Sequence, residues 1–322
     1  MAIKFGPAGL GGIKEAEKVL EAYYKIGLKA CEIAFTYGIY IKNKEDALRI
    51  GKKSKELDIA LSIHAPYYVN LNSKERDKIE ASKKRILDCC EIGEALGANT
   101  VVFHPGFYGD DKEKCYEQIK KGIIELMEVL KKKAWKIKIA PETMGKVNVF
   151  GSAEEISRLV HDTGCSYCID FAHILAREKK VDYQKVIKLF PEKRWHVHFS
   201  GIIYGEKGEK HHRKTEKEEW RVLLKNLPRD REIVIINESP DMVEDSVEGM
   251  KMYESIWKLN KIKRIVISMK TKAKIILVVT ITVLLLLAWA PWMMEARELS
   301  KVLNIYNFYN IYAWNNKYGK DV

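Results

Sequence analysis

Short apolar runs alternate with longer amphipathic stretches through the first part of the chain. The runs are Ile3–Gly6, Lys29–Ala34, Ile59–His64, Asn99–His104, Ile137–Glu142, Ser166–Asp170, Trp195–Phe199 and Glu232–Glu238. These short apolar runs read as strands. Between them the period lengthens to that of a helix. In Tyr116–Leu130 the apolar residues Ile119, Ile123, Leu126 and Leu130 recur at steps of four, three and four. Ile79, Ile86 and Cys90 mark a similar face in Lys74–Leu96. Ser152 followed by Glu155 predicts a capping box for a helix running towards Val160, and Met242–Leu259 is the last helix of the set. Eight strand–helix units in about 260 residues predict a (β/α)8 TIM barrel. A doubly wound sheet accounts for fewer strands and does not close. The run "GPAGLGG" near the start has the wrong glycine spacing for a dinucleotide fingerprint and predicts a turn.

The pattern changes after the last helix. Residues 275–292, "IILVVTITVLLLLAWAPW", are eighteen positions without a charge, with Lys270, Lys272 and Lys274 before them and Glu295 and Arg297 after. A bilayer span takes roughly 20 apolar residues, so this run is a candidate transmembrane helix, with Trp289 and Trp292 placed for an interface. A buried helix, or a tail apart from the main fold, is the other reading. The preceding lysines favour a cytoplasmic catalytic body, tethered to the cytoplasmic face of the membrane if the helix spans. The expected organisation is a barrel over 1–262 and a C-terminal extension over 263–322.

Composition adds two constraints. With 56 Lys and Arg against 44 Asp and Glu, the 322-residue chain carries a formal charge of +12. That suits an anionic partner without specifying one. The six cysteines include one CxxC, Cys165 and Cys168, with no second pair to complete a zinc ribbon. They read as buried thiols of a reducing compartment. No secretory signal pattern is read at the start.

The candidate chemistry lies where barrel enzymes keep it, at the C-terminal ends of the strands. His64 ends the third strand in "LSIHAPYY", His104 the fourth in "VVFHPG" and Glu142 the fifth in "IAPETMG". Asp170 ends the sixth in "CIDFAH" with His173 three residues on, His198 ends the seventh, and Glu238 ends the eighth in "IINESP". Six successive strands carrying a ligand-type residue at one end point to a metal cluster. Imidazole and carboxylate suit zinc, and also manganese or iron. The stretch "HVHFSGIIYGEKGEKHHR" holds four of the eight histidines. In it His198 points into the site, His196 shares its face lower in the barrel as a structural residue, and Glu209, His211 and His212 fold back over the mouth in a loop. Lys42, Lys44, Arg76, Lys146, Arg177, Lys207, Lys210 and Arg213, with Tyr37, Tyr40, Tyr67, Tyr68, Phe107, Tyr108 and Tyr204, lie in or near strand-end loops. Such mixtures suit phosphate contact and base stacking.

Taken in order, "SIHAPY", "FHPG", "PET", "DxxH", "HxHFSG", the acidic-x-His loop and "NESP" resemble the endonuclease IV family of apurinic/apyrimidinic endonucleases, from about residue 3 to residue 260. The resemblance implies a TIM barrel holding three zinc ions, with manganese an alternative, that cleaves damaged double-stranded DNA 5′ to an abasic site in base-excision repair. It implies that His64 and His104 bind the first ion, with Glu142 bridging to the second and organising the nucleophile. Asp170, His198 and Glu238 complete the second site, and His173, Glu209 and His211 hold the third. The implied reaction is in-line hydrolysis by metal-activated water, leaving a 3′-hydroxyl and a 5′-deoxyribose phosphate. The expected assembly is a monomer. Two departures stand out. Glu209 takes the place of the family's usual Asp, and "HRKTEKE" after His211 lacks the usual Leu-Gly-Glu-Gly run, which leaves His212 as an alternative to His211. The competing reading is a sugar isomerase or epimerase of the xylose-isomerase-like type. It needs one divalent metal on Glu142, Asp170, His198 and Glu238, and leaves His64, His104, His173, Glu209 and His211 without a task. A membrane-tethered binding module on a degenerate barrel is a third reading, opposed by the intact ligand set.

Overall fold

The computed structural model describes residues 3–256 together with 279, 280 and 282. Met1–Ile256 form one compact unit and Trp257–Val322 a second. The candidate span 275–292 lies almost wholly outside the described residues. No helix among the described residues is long and apolar enough to cross a membrane.

Eight parallel strands form the first unit's centre: β1 (Ile3–Pro7), β2 (Ala30–Ala34), β3 (Ala60–His64), β4 (Thr100–Phe103), β5 (Lys138–Pro141), β6 (Cys168–Asp170), β7 (Arg194–Phe199) and, after a hairpin, β10 (Glu232–Asn237). Ladders join β2-β3-β4-β5 and β1-β10-β7-β6. Isolated backbone hydrogen bonds close the two seams between these sheets. Lys29 N donates to Phe5 O across β1 and β2 (3.0 Å), while Ser166 N donates to Ile139 O (3.0 Å) and Thr143 N to Cys168 O (3.0 Å) at the β5–β6 seam. The first seam needs a glycine: a Cβ on Gly6 would sit 1.8 Å from Ala30 O. Only a side chain of hydrogen lets these two strands come close enough to complete the barrel.

Helices α1 (Ala16–Lys25), α2 (Lys44–Glu56), α3 (Arg76–Leu96), α4 (Lys112–Lys132), α5 (Ala153–Thr163), α6 (Phe171–Glu178), α7 (Tyr183–Leu189) and α8 (Lys217–Asn226) follow the strands, and a further helix covers 242–256. The helical period of α4 is realised, with Ile119, Ile123, Leu126 and Leu130 all buried. The expected capping box opens α5: Ser152 Oγ accepts from Glu155 N (3.2 Å) and Glu155 Oε2 from Ser152 N (2.8 Å). Such caps contribute about 1 kcal/mol. Trp220 of α8 is fully buried with its ring edge-on to Phe5 (6.0 Å) and Phe199 (4.9 Å), tying α8 to β1 and β7. The six cysteines are free and buried, so their small apolar side chains serve the core.

The structure corrects one element. The stretch expected as a loop after the seventh strand is an antiparallel hairpin, β8 (Gly201–Gly205) and β9 (Gly208–Arg213). Its register shifts between Ile203, which faces His211, and Tyr204, which faces Glu209. Lys210 is therefore the extra residue of a β-bulge.

Candidate metal centre

Glu142 sits at the C-terminal end of β5, fully buried, with imidazoles on both of its oxygens. His64 Nε2 lies 3.3 Å and His104 Nε2 3.2 Å from Oε2, while His198 Nδ1 lies 3.0 Å from Oε1. The same Nδ1 lies 3.4 Å from Glu238 Oε1. Asp170 is divided in its duties. Its Oδ1 caps α6 by accepting from His173 N (2.8 Å), whereas its buried Oδ2 has no hydrogen-bond partner. That oxygen has His173 Nδ1 at 3.4 Å, and beside Glu142, His198 and Glu238 it keeps an acceptor that a cation could use. The ligand atoms of these four residues all lie within 4.8 Å of one another.

Backbone carbonyls fix the ring tautomers. His64 Nδ1 is 2.7 Å from Ala65 O and His173 Nδ1 is 2.9 Å from Thr143 O. A carbonyl only accepts, so both rings carry a proton on Nδ1 and turn Nε2 into the mouth, where it offers a lone pair once the ring is neutral. His173 Nε2 faces Glu209 Oε2 at 3.4 Å. Glu209 reaches this point because the hairpin docks on the loop after β5, where Glu209 N donates to Gly145 O (3.1 Å). Gly145 also leaves room for the contact: a Cβ there would lie 2.8 Å from Glu209 Cβ and 3.0 Å from His173 Cδ2.

The third member of this group differs from the residue the resemblance implies. His212, not His211, brings its ligand atom within 4.8 Å of those of His173 and Glu209. Its ring lies 5.4 Å from that of His173, held by Ser200 Oγ at 2.5 Å from Nδ1. His211 is exposed. In an unbroken strand Glu209 and His211 would share a face. The bulge at Lys210 inserts one residue, inverts the alternation and gives Glu209 the same side as His212. Every other expected ligand (His64, His104, Glu142, Asp170, His173, His198, Glu209 and Glu238) lies at this one mouth.

Two cations expected to face a substrate are committed elsewhere. Arg177 donates to Lys146 O (2.7 Å) and Val149 O (2.9 Å), clamping the loop after β5. Arg213 makes a two-pronged pair with Glu219 (3.0 and 2.8 Å). Tyr37, Tyr67, Tyr68, Phe107 and Tyr204 are exposed, and the Tyr67 ring stacks on His104 at 5.2 Å. Glu32 of β2 is a site neighbour that the strand-end pattern misses. It is fully buried and faces His196 and His198. The signal was present as a charge inside the apolar run "ACEIA".

These groups perturb one another strongly. Burial pushes the Glu142 carboxyl up, but His198, His104 and His64 outweigh it and hold the group well below the usual carboxylate range. Glu238 is likewise drawn down to about 2 by His198 against its burial. Burial raises Asp170, which His173 only partly offsets. His173 is lifted to about 9, because Asp170, Glu142 and Glu209 overcome its desolvation. Uncompensated buried charges cost several kcal/mol each, so this density of ionisable groups is expensive as mere packing. Bound cations would relieve that cost.

Residues 20–255 match the family model described as xylose isomerase-like TIM barrel. The chain belongs to that family. Within it, the chain is 36% identical over 271 residues to an uncharacterised protein of Methanocaldococcus jannaschii, covering 78% of this chain and 97% of that one. It is 31% identical over 166 residues to an apurinic-apyrimidinic endonuclease of Caenorhabditis elegans, covering 46% of this chain and 41% of that protein. The chain thus matches less than half the length of that relative. Among solved structures, endonuclease IV from Thermus thermophilus superposes with a TM-score of 0.59 at 22% identity, covering 80% of this chain and 99% of that one. At that identity the likeness shows the shared barrel fold alone.

Two outcomes follow. His212→Ala lowers the number of tightly bound divalent ions by one in a metal-content assay, whereas His211→Ala leaves it unchanged. Because a ligating ring must be neutral, cations compete with the proton that His173 holds up to a pH of about 9. Affinity therefore rises with pH, by about tenfold per unit between pH 7 and 8 for that one displaced proton, as read by chelator competition.

Proposed function

We propose that this chain is a metal-dependent phosphodiesterase that cuts duplex DNA on the 5′ side of an abasic site. The observation that carries this reading is the continuity of the ligand set. Glu142 links His64 and His104 on one oxygen to His198 on the other, and His173 extends the set to Glu209 and His212. A sugar isomerase or epimerase needs only Glu142, Asp170, His198 and Glu238. It leaves four further ligand-type histidines and Glu209 converging on the same mouth without a use. The likeness to an apurinic-apyrimidinic endonuclease over part of the chain supports the same choice.

The donors suit zinc, being imidazole and carboxylate with no oxygen-only cage. His64, His104 and Glu142 would hold one ion, Glu142, Asp170, His198 and Glu238 a second, and His173, Glu209 and His212 a third. Bound cations would supply Lewis acidity and a water of lowered pKa. The residues themselves do the positioning. Glu142 sets the spacing of two sites through its two oxygens. Ala65 and Thr143 carbonyls hold His64 and His173 in the ligating tautomer. Tyr67, exposed and stacked on His104, offers a planar wall beside the centre on which a nucleotide ring can lie. Lys42, Lys146, Lys207 and Lys210 remain exposed for phosphate contact. No separate general base is required.

The test is incubation of the zinc-loaded protein with a duplex carrying one abasic-site analogue. The wild type is expected to cut once, leaving a 3′-hydroxyl, and Glu142→Gln to lose about a hundred- to a thousandfold in rate, in line with loss of a central electrostatic group. An intact duplex in the presence of zinc-loaded wild type sinks the proposal, and turnover of a ketose by the same sample supports the sugar enzyme.

A further inference from the structure

Below the metal centre, inside the barrel, lies a second layer of polar groups that the ligand set does not use. Its hub is Glu32 of β2, which is fully buried in the run "ACEIA". Glu32 Oε2 accepts from Ser62 Oγ of β3 (2.8 Å) and faces His196 Nε2 of β7 at 3.0 Å. Glu32 Oε1 lies 3.0 Å from His198 Nε2, off the line of a hydrogen bond, and neither of these two atoms has another hydrogen-bond partner. The opposite nitrogen of the same ring, His198 Nδ1, faces Glu142 and Glu238 in the mouth.

We propose that Glu32 is a positioning residue for the metal centre, holding His198 from beneath so that Nδ1 is presented to the cation. The inference rests on the reading of the mouth as a metal site. A neutral imidazole has one donor and one lone pair. With Glu142 and Glu238 turned to a cation, the anion at Nε2 would keep the ring's proton there and leave the lone pair on Nδ1, the nitrogen among the ligand-type residues. A carboxylate behind a ligating histidine also raises its basicity and fixes the ring plane. Ser62 and His196 hold the carboxylate itself, which gives His196 a task as part of the support. The three residues come from three different strands, β2, β3 and β7, so the barrel's own closure sets where Glu32 stands relative to His198. An apolar side chain at position 32 would pack an ordinary strand interior at lower desolvation cost. The buried carboxylate is accounted for by what lies above it.

Cys168, His196 and His198 also bring their ligand atoms within 4.8 Å of one another. A cation bound there would take Nε2 away from Glu32, and the experiment separates the two arrangements. Full-length wild type, Glu32→Gln, Glu32→Ala and Cys168→Ser are loaded with Co2+. Affinity is read by chelator competition, ion count by metal analysis and site geometry by the visible absorption bands, with circular dichroism to confirm folding. Glu32→Ala is expected to bind roughly 10- to 100-fold more weakly with altered bands. Glu32→Gln, which keeps a polar atom facing Nε2 but removes the charge, recovers part of the affinity and the wild-type bands. Cys168→Ser keeps the full ion count. Wild-type affinity and bands in Glu32→Ala overturn the proposal while leaving the metal centre standing. Loss of an ion in Cys168→Ser overturns it by making Nε2 a ligand. A wild type that binds no Co2+ overturns both this inference and the reading beneath it.

Discussion

The barrel mouth depends on one buried carboxylate. Glu142 is shielded from water, so its charge must be balanced by neighbours, and the neighbours are His64, His104 and His198. Each imidazole arrives from a different strand end. That arrangement makes Glu142 the point at which the sheet's closure and the site's electrostatics become the same problem. If any of β3, β4 or β7 were displaced, a negative charge would be left in a low-dielectric interior with fewer partners.

The scaffold meets this demand with close backbone contacts rather than extra bulk. Gly6 lets β1 and β2 seal the wall. Backbone carbonyls of Ala65 and Thr143 choose the tautomers of His64 and His173, a task that strands and their following turns perform without added side chains. The β8–β9 hairpin then covers one side of the mouth. Gly145 gives it room, and Arg177 ties down the loop on which it rests. Ligand-type residues, buried polar groups and cover thus come from three successive layers: the strand ends, the barrel interior below them and the hairpin above.

Much of this was legible in the chain. A buried parallel strand is a continuous apolar run, and the eight runs alternate with helical stretches, so both the barrel and its active end could be read from periodicity alone. His64, His104, Glu142, Asp170, His198 and Glu238 follow from that, because a ligand at a strand end has a fixed direction. His211 shows where such reading stops. The acidic-x-His spacing assumes an unbroken alternation, and the bulge at Lys210, which depends on how the hairpin pairs, exchanges His211 for His212. Glu32 was hidden for a different reason: it lies mid-strand, and its partners His196 and His198 are far away in sequence. Arg177 and Arg213 were counted among exposed cations, since charge alone does not reveal that a carbonyl or Glu219 already claims it.

The central claim is that Glu142 joins a multi-metal cluster rather than a single-metal sugar site. The most direct measurement is anomalous scattering at the zinc edge from crystals of the zinc-loaded protein. The account predicts three peaks at the barrel mouth, one beside His64 and His104, one beside Asp170, His198 and Glu238, and one beside His173, Glu209 and His212, with Glu142 between the first two. A single peak held by Glu142, Asp170, His198 and Glu238, with nothing at His64 or Glu209, would contradict it.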